Sequence, residues 1–215
     1  RLSPGQIGAV MPEDEGQAWD DTTGEKLDWQ GVVGARVEEM VEIHKHKVWE
    51  LVPTQQCWDK TGKGPIQVRW LDINKGDKVH PNYRSRYVAK DVNNEKRLDL
   101  FAATPPLEAL KIFISLWMTQ GIGWATEKGE IVMDLIDVRR AYFHARARRD
   151  VLVELPEEDS EPGMCGKLLK SLYGTRDAAQ NWEEEYIGFM KDIGFESGKS
   201  SPCLSHHPER SIRAV

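Results

Sequence analysis

Two hydrophobic periods divide this chain into elements. Over residues 35–46, Val37, Met40, Val41 and His44 recur at helical spacing, with Glu38, Glu39 and Glu42 toward the start, so a short amphipathic helix is predicted there. Residues 48–52 alternate like a strand and stop at Pro53. Residues 66–73 and 79–90 read as two strands, joined by Asn74-Lys75-Gly76-Asp77-Lys78, a run with turn chemistry. Pro81 then has to sit at an edge or at the strand's start. In the second strand Tyr83, Ser85, Tyr87 and Ala89 share one face, and Arg84, Arg86, Val88 and Lys90 share the other.

Further on, Thr104-Pro105-Pro106 marks a helix start, with Thr104 as N-cap. The helix carries Leu107, Leu110, Phe113, Ile114 and Trp117 on one stripe and ends at Gly121. Residues 131–137, apolar except for Asp134 and the terminal Asp137, read as a buried strand. Residues 151–155 form another strand, closed by Pro156, and residues 167–172 a short one running into Tyr173-Gly174. Ala178, Ala179, Trp182, Tyr186, Phe189, Met190 and Ile193 make a helical stripe stopped by Gly194. The order is helix, hairpin, helix, strand, strand, helix. That is α+β, without the regular alternation of a doubly wound parallel sheet.

Residues 1–34 are rich in Gly, Pro, Asp and Glu without periodicity and read as an acidic tail or linker. They carry much of a formal net charge of −6. Between Lys60 and Arg97, by contrast, ten basic residues face four acidic ones. A second basic cluster is Arg139, Arg140, Arg146, Arg148 and Arg149. Local patches of this kind matter more than the global sum for binding phosphates.

No apolar run approaches the ~20 residues that span a bilayer, and the start has no signal-peptide pattern. An intracellular protein, cytoplasmic or nuclear, without membrane association is therefore expected. Cys57, Cys165 and Cys203 are scattered and odd in number, which fits a reducing compartment. Cys203 with His206 and His207 is only half a zinc cluster. Trp58, Trp70 and Trp124 are expected to pack in the core.

The strongest candidate for chemistry is Asp137, a carboxylate at a strand end followed by Val138-Arg139-Arg140-Ala141-Tyr142-Phe143. A rigid strand fixes a carboxylate as a metal ligand; the competing assignment is a turn-capping Asp. Asp134 falls on the opposite face by alternation.

Five collinear segments resemble the Ty1/copia-type reverse transcriptase domain of retrotransposon polyproteins. They are Trp49-Glu50-Leu51-Val52-Pro53, Tyr83-Arg84-Ser85-Arg86-Tyr87-Val88-Ala89-Lys90, Asp137-Val138 through Ala141-Tyr142-Phe143, Val151-Leu152-Val153-Glu154-Leu155-Pro156, and Lys170-Ser171-Leu172-Tyr173-Gly174 with Trp182 beyond. The resemblance covers residues 38–195. It implies a partial reverse transcriptase fold over 35–215, an antiparallel sheet with packed helices, with fingers at about 35–104 and palm at about 105–215.

It also implies an RNA-directed DNA polymerase, cut from a larger polyprotein, acting on an RNA or DNA primer-template with dNTPs. Asp137 would be the catalytic ligand of Mg²⁺ in a two-metal reaction. Arg84, Arg86 and Lys90 would face the triphosphate. Tyr142, with Phe143 beside it, would lie under the sugar. Tyr173, Gly174 and Arg176 would meet the template-primer.

Asp177 and Ala179 stand where the family usually has Gln and Pro. The paired aspartates expected on a later hairpin are not reached by Val215, although residues 211–215 suit the start of its strand. One carboxylate cannot hold two metals, so the chain alone is expected not to polymerise. The alternative is a retroelement remnant that binds nucleic acid or is an inert folded domain.

Overall fold

The computed structural model describes residues 16–91, 107–124, 129–199, 201 and 203–215. Its contacts divide the chain into two units, one of residues 1–100 and 141–182, the other of residues 101–140 and 183–215.

The first unit starts earlier than the hydrophobic pattern suggests. Residues 16–34, expected as tail, form β1 (Ala18–Trp19), β2 (Lys26–Leu27) and the first turns of α1 (Trp29–His46). The acids are what order this segment. The Asp28 carboxylate accepts from Gly31 N at 2.8 Å and caps α1, so the helix begins six residues before Ala35. Asp20 accepts from the backbone N–H of Asn74, Thr22 and Thr23. These bonds, that from Asn74 first, hold its carboxyl below the usual range. Asp21 accepts from Asp72 N and pairs with Arg69, and Glu25 pairs with Lys78. The acidic end thus straps the basic hairpin, and part of the charge asymmetry cancels. Helix α1 closes with Lys47 in the left-handed region (φ 52°) and with Lys45 in its last turn, where a cation suits the helix dipole.

The hairpin forms, with its second strand starting later than predicted. β4 (Val68–Asn74) pairs antiparallel with β5 (Tyr83–Ala89), from Val68 opposite Ala89 to Asn74 opposite Tyr83. The turn is longer than predicted, because Asn74 Oδ1 accepts from both Gly76 N and Asn82 N and draws residues 75–82 into the loop. Pro81 therefore lies in the loop and not in the strand. Ser85, Tyr87 and Ala89 are buried while Arg84, Arg86 and Lys90 are exposed, as alternation requires.

β3 (Trp49–Pro53) pairs with β7 (Met164–Leu168), which pairs with β6 (Leu152–Val153); all are antiparallel. The strand expected at 167–172 lies a few residues earlier. Its ladder ends where Leu169 N and Lys170 N both donate to Val48 O. The strand expected over 151–155 pairs through Leu152 and Val153, and Ile66 brackets it by accepting from Glu154 N and donating to Leu152 O. Between β3 and β4 lies α2 (Thr54–Thr61). One core joins Met40 and Ile43 of α1, Trp49 of β3, Tyr87 and Ala89 of β5, and Phe143, Val151, Val153, Leu168 and Leu172. Of the tryptophans expected inside, Trp70 packs against this core, whereas Trp58 and Trp124 are exposed.

In the second unit α3 (Leu107–Met118) precedes a positive-φ Gly121, as predicted. The N-cap expected at Thr104 lies outside the described residues. The apolar stripe is not buried: Leu107, Leu110, Ile114 and Trp117 are all exposed, and Phe113 is half-buried. Residues 131–137 are not a buried strand either. Leu135 is 89% and Ile136 87% exposed, and the run joins no described sheet, its one backbone tie among the described residues being Ile131 N to Gly123 O. A hydrophobic run favours extension locally, but only a neighbouring strand makes it part of a sheet.

The short helix α4 (Ala141–His144) belongs to the first unit. Helix α5 (Ala178–Asp192) ends at Gly194 (φ +94°), where Phe195 N donates to Met190 O. The strands β8 (Glu196–Ser197), β9 (Ser205–His207) and β10 (Ile212–Ala214) form a small antiparallel sheet. His206 pairs with Glu196 and His207 packs edge-on to Phe195. Among the described residues no three His, Cys, Asp or Glu groups are placed to hold a metal ion. No described helix is long and apolar enough to cross a membrane.

Candidate nucleotide-binding site

The first unit brings four of the predicted residues together. Arg86 projects from the exposed face of β5, and its guanidinium lies 4.9 Å from the centroid of the Tyr173 ring. Tyr173 in turn contacts Tyr142 (5.0 Å) and Phe143 (5.6 Å) of α4. A cation over an aromatic face is worth about 0.5–2 kcal/mol and leaves the guanidinium edges free to donate. Arg84 lies on the same strand face two residues away. Phe143 is 0% exposed, so it offers no ligand surface and acts as the floor on which Tyr173 rests.

Backbone geometry places Tyr173. Its carbonyl accepts from Ala89 N at 2.8 Å, tying the Tyr-Gly turn to the end of β5. Gly174 has φ +81°, and a Cβ there would run into Ala89 O and the Val88 side chain. A Gly174→Ala chain is expected to lose at least about 1–2 kcal/mol through the left-handed backbone alone. Urea unfolding checks the loss, and a weakened Ala89 N–Tyr173 O bond shows as faster exchange of the Ala89 amide.

Arg176 is not a simple outward cation. Its backbone N donates to Asp91 Oδ2 (3.1 Å) and its Nε lies 3.3 Å from Asp91 Oδ1. Arg176 Nε and Nη1 are buried without a well-formed hydrogen bond. The same Asp91 Oδ2 accepts from Arg149 Nη2 at 2.9 Å, and Arg149 Nη2 also reaches Asp177 Oδ1 at 2.7 Å. Asn181 Nδ2 donates to Asp177 Oδ2 and to Ser171 Oγ.

Burial alone pushes the Asp177 carboxyl up. The Arg149 hydrogen bond and charge, with the Asn181 bond, outweigh it and leave the group below the usual carboxylate range. Asp177 hydrogen-bonds Arg149 and holds that guanidinium's proton more firmly still. Asp177, the acid at the family's Gln position, is therefore neutralised internally. No local signal foretells this network: Arg149 reads as one of a basic run, and its acidic partners lie 58 and 28 residues away.

Asp137 belongs to the second unit and is exposed, with the chain turning at Arg139 and Arg140 immediately after it. It stands on an extended segment and not on a paired strand. The described residues assemble no carboxylate cluster around it, so they do not by themselves form a magnesium site.

The first unit thus carries a basic hairpin, an aromatic pair on a short helix and a Tyr-Gly turn tied to that hairpin. Residues 46–205 match the family model described as reverse transcriptase (RNA-dependent DNA polymerase), and the chain belongs to that family.

It is, more narrowly, a copia-like reverse transcriptase domain. It is 26% identical over 178 residues to a retrovirus-related Pol polyprotein from transposon TNT 1-94 of Nicotiana tabacum, a match covering 79% of this chain and 12% of the relative. It is 26% identical over 183 residues to a retrovirus-related Pol polyprotein from transposon RE1 of Arabidopsis thaliana, covering 82% of this chain and 12% of the relative. The corresponding polyprotein from transposon RE2 is 24% identical over a similar span. The chain thus spans 12% of the length of these curated relatives. No solved structure matches it.

Proposed function

We propose that this chain is the fingers, with part of the palm, of an RNA-directed DNA polymerase, and that the Arg86–Tyr173–Tyr142 cluster receives the incoming dNTP. The observation that carries the reading is the Arg86 guanidinium over the Tyr173 ring, which itself packs at a tilt of 51° against Tyr142. Arg84, Arg86 and Lys90 contact the triphosphate, for which a guanidinium fork is the best side-chain donor. Tyr142 meets the sugar, backed by Tyr173, which rests on Phe143. Tyr173 and Gly174 meet the template-primer, while Asp91 fixes Arg176 beside them. Asp137, in the second unit, is assigned as a Mg²⁺ ligand by its place in the family's first catalytic motif. No further ligand is assigned.

Titration of the 215-residue chain with a fluorescent dNTP tests this. The R84E/R86E chain is expected to bind at least about tenfold to a hundredfold more weakly, the worth of one hydrogen bond to a charged group. Unchanged affinity removes the triphosphate assignment.

A second reading, a domain that binds without copying, is favoured by the exposed, unclustered Asp137. It predicts salt-sensitive primer-template binding with no primer extension by the purified chain. Measurable extension overturns it.

A further inference from the structure

We propose that Asp91 is a positioning residue for the nucleotide cluster: through a polar network largely out of water, it sets the Tyr173 ring against Arg86. The inference rests on the dNTP reading above and deepens it. All of its residues lie in the first unit.

The network draws on three segments. Asp91 follows the end of β5, Arg149 follows α4, and Asp177 and Asn181 stand at the start of α5. The side chains of Asp91 and Asp177 are only 9% and 7% exposed. Carboxylates so far from water need partners, and these two share the Arg149 guanidinium. That shared need fixes the three segments relative to one another.

The loop that carries Tyr173 is held at its base and on its outer side. At the base, Asn181 Nδ2 donates to Ser171 Oγ at 3.0 Å and to Asp177 Oδ2 at 3.1 Å, so one buried amide joins the residue before the loop to the residue after it. Thr175 Oγ1 donates to Leu172 O across the loop. On the outer side Asp91 Oδ2 accepts from Arg176 N, and Ala89 N donates to Tyr173 O. The segment that carries Arg86 therefore also grips the loop that carries Tyr173. A cation over a ring at an exposed site is a weak contact, too weak to hold this geometry by itself. The network supplies the rest, and a site preorganised in this way loses less on binding.

Asp91→Asn tests this because it changes charge and hydrogen bonding but hardly changes shape. Asp91 meets donors on both oxygens: Arg149 Nη2 and Arg176 N at Oδ2, and Arg176 Nε at 3.3 Å from Oδ1. In either orientation of the new amide, its NH2 faces an arginine N–H. Asn181→Ala is the companion variant. It releases the base of the loop without removing a charged group.

The measurements are NMR of the full chain and titration with a fluorescent dNTP, made well below each variant's own unfolding midpoint. In the unaltered chain the ring current of Tyr173 displaces the Arg86 side-chain proton signals. In D91N that displacement should shrink toward the value of a free arginine. Affinity for dNTP should fall about tenfold, the lower end of what one hydrogen bond to a charged group contributes. N181A should move both readouts in the same direction.

A lower unfolding midpoint in D91N with the Arg86 signals and dNTP affinity unchanged makes Asp91 structural only and overturns the proposal. So does a fall in affinity while the Arg86 signals stay in place. If D91N does not fold, N181A decides by the same two outcomes. If the Arg86 signals move but the unaltered chain binds no dNTP, the hold of Asp91 on Tyr173 stands and the nucleotide reading falls.

Discussion

Phe143→Ala is expected to destabilise the chain by about 3–5 kcal/mol, the range for emptying a fully packed phenylalanine site. Phe143 is 0% exposed and shares the core with Met40, Ile43, Val48 and Leu172. Elements distant in sequence close over it: α1, the 48–49 junction and the segment leading to the Tyr-Gly turn. They are held by backbone hydrogen bonds, such as Ser171 N to Ala145 O, and so cannot collapse into the void. A domain of ordinary stability has about 5–15 kcal/mol in hand, so the variant should sit near its unfolding threshold at 37 °C. Urea denaturation is the measurement. A midpoint shift below about 1 kcal/mol would mean that the site relaxes far more than its packing implies. Phe143→Leu, which keeps most of the volume, should recover much of the loss. Tyr173 rests on Phe143, so the alanine chain should also lose the Arg86–Tyr173 stack before it unfolds.

Arg149→Leu is expected to cost about 3–5 kcal/mol at neutral pH, because it leaves two carboxylates, Asp91 and Asp177, largely out of water without their shared cation. The pH dependence sets this apart from simple loss of packing. In the native chain the Asp177 carboxyl lies below its ordinary value. A carboxyl depressed by folding contributes stability above its unfolded pKa, and that contribution is lost as pH falls through the folded pKa. Without Arg149 the burial that opposes ionisation is no longer outweighed, and the Asp177 pKa should rise above its unfolded value. The sign then reverses: the penalty grows as pH rises through the carboxylate range and shrinks on acidification. Urea midpoints of both chains between pH 4 and 7 should therefore converge at the acid end. A difference independent of pH would mean that Arg149 acts through its bulk alone. Adding Asp177→Asn to Arg149→Leu should restore part of the stability, since an amide is less costly than a carboxylate to bury unpaired.

The elements legible beforehand share a property: each is decided by residues close in sequence. The β4–β5 hairpin has its turn residues and its alternation within about twenty positions. Its inward face of Ser85, Tyr87 and Ala89 followed from period two. Helix α5 and its glycine stop were likewise local. Residues 131–137 were misjudged for the complementary reason. Their apolar run specifies extension, but burial and pairing depend on a neighbour that the run does not contain. Residues 16–34 looked unstructured because their ordering is polar: Asp20 and Asp21 satisfy backbone N–H groups at Asn74 and Asp72, some fifty positions on. Hydrophobic periodicity is blind to that.

Of the candidate site, the sequence named Arg86, Tyr142 and Tyr173, and the fold brought them within stacking distance. It named Phe143 as well, whose place in the core only packing could assign.

The chain's membership of the copia-like reverse transcriptases was present in the sequence alone, because collinear motifs survive as residue identities and spacings. Which arginines face outward and which are neutralised was decided by tertiary structure. Charge is a property of a residue, but its availability depends on partners that folding brings from far along the chain. Arg149 shows this most plainly: it is one member of a basic run by sequence, and a half-buried bridge between two aspartates once the chain has folded.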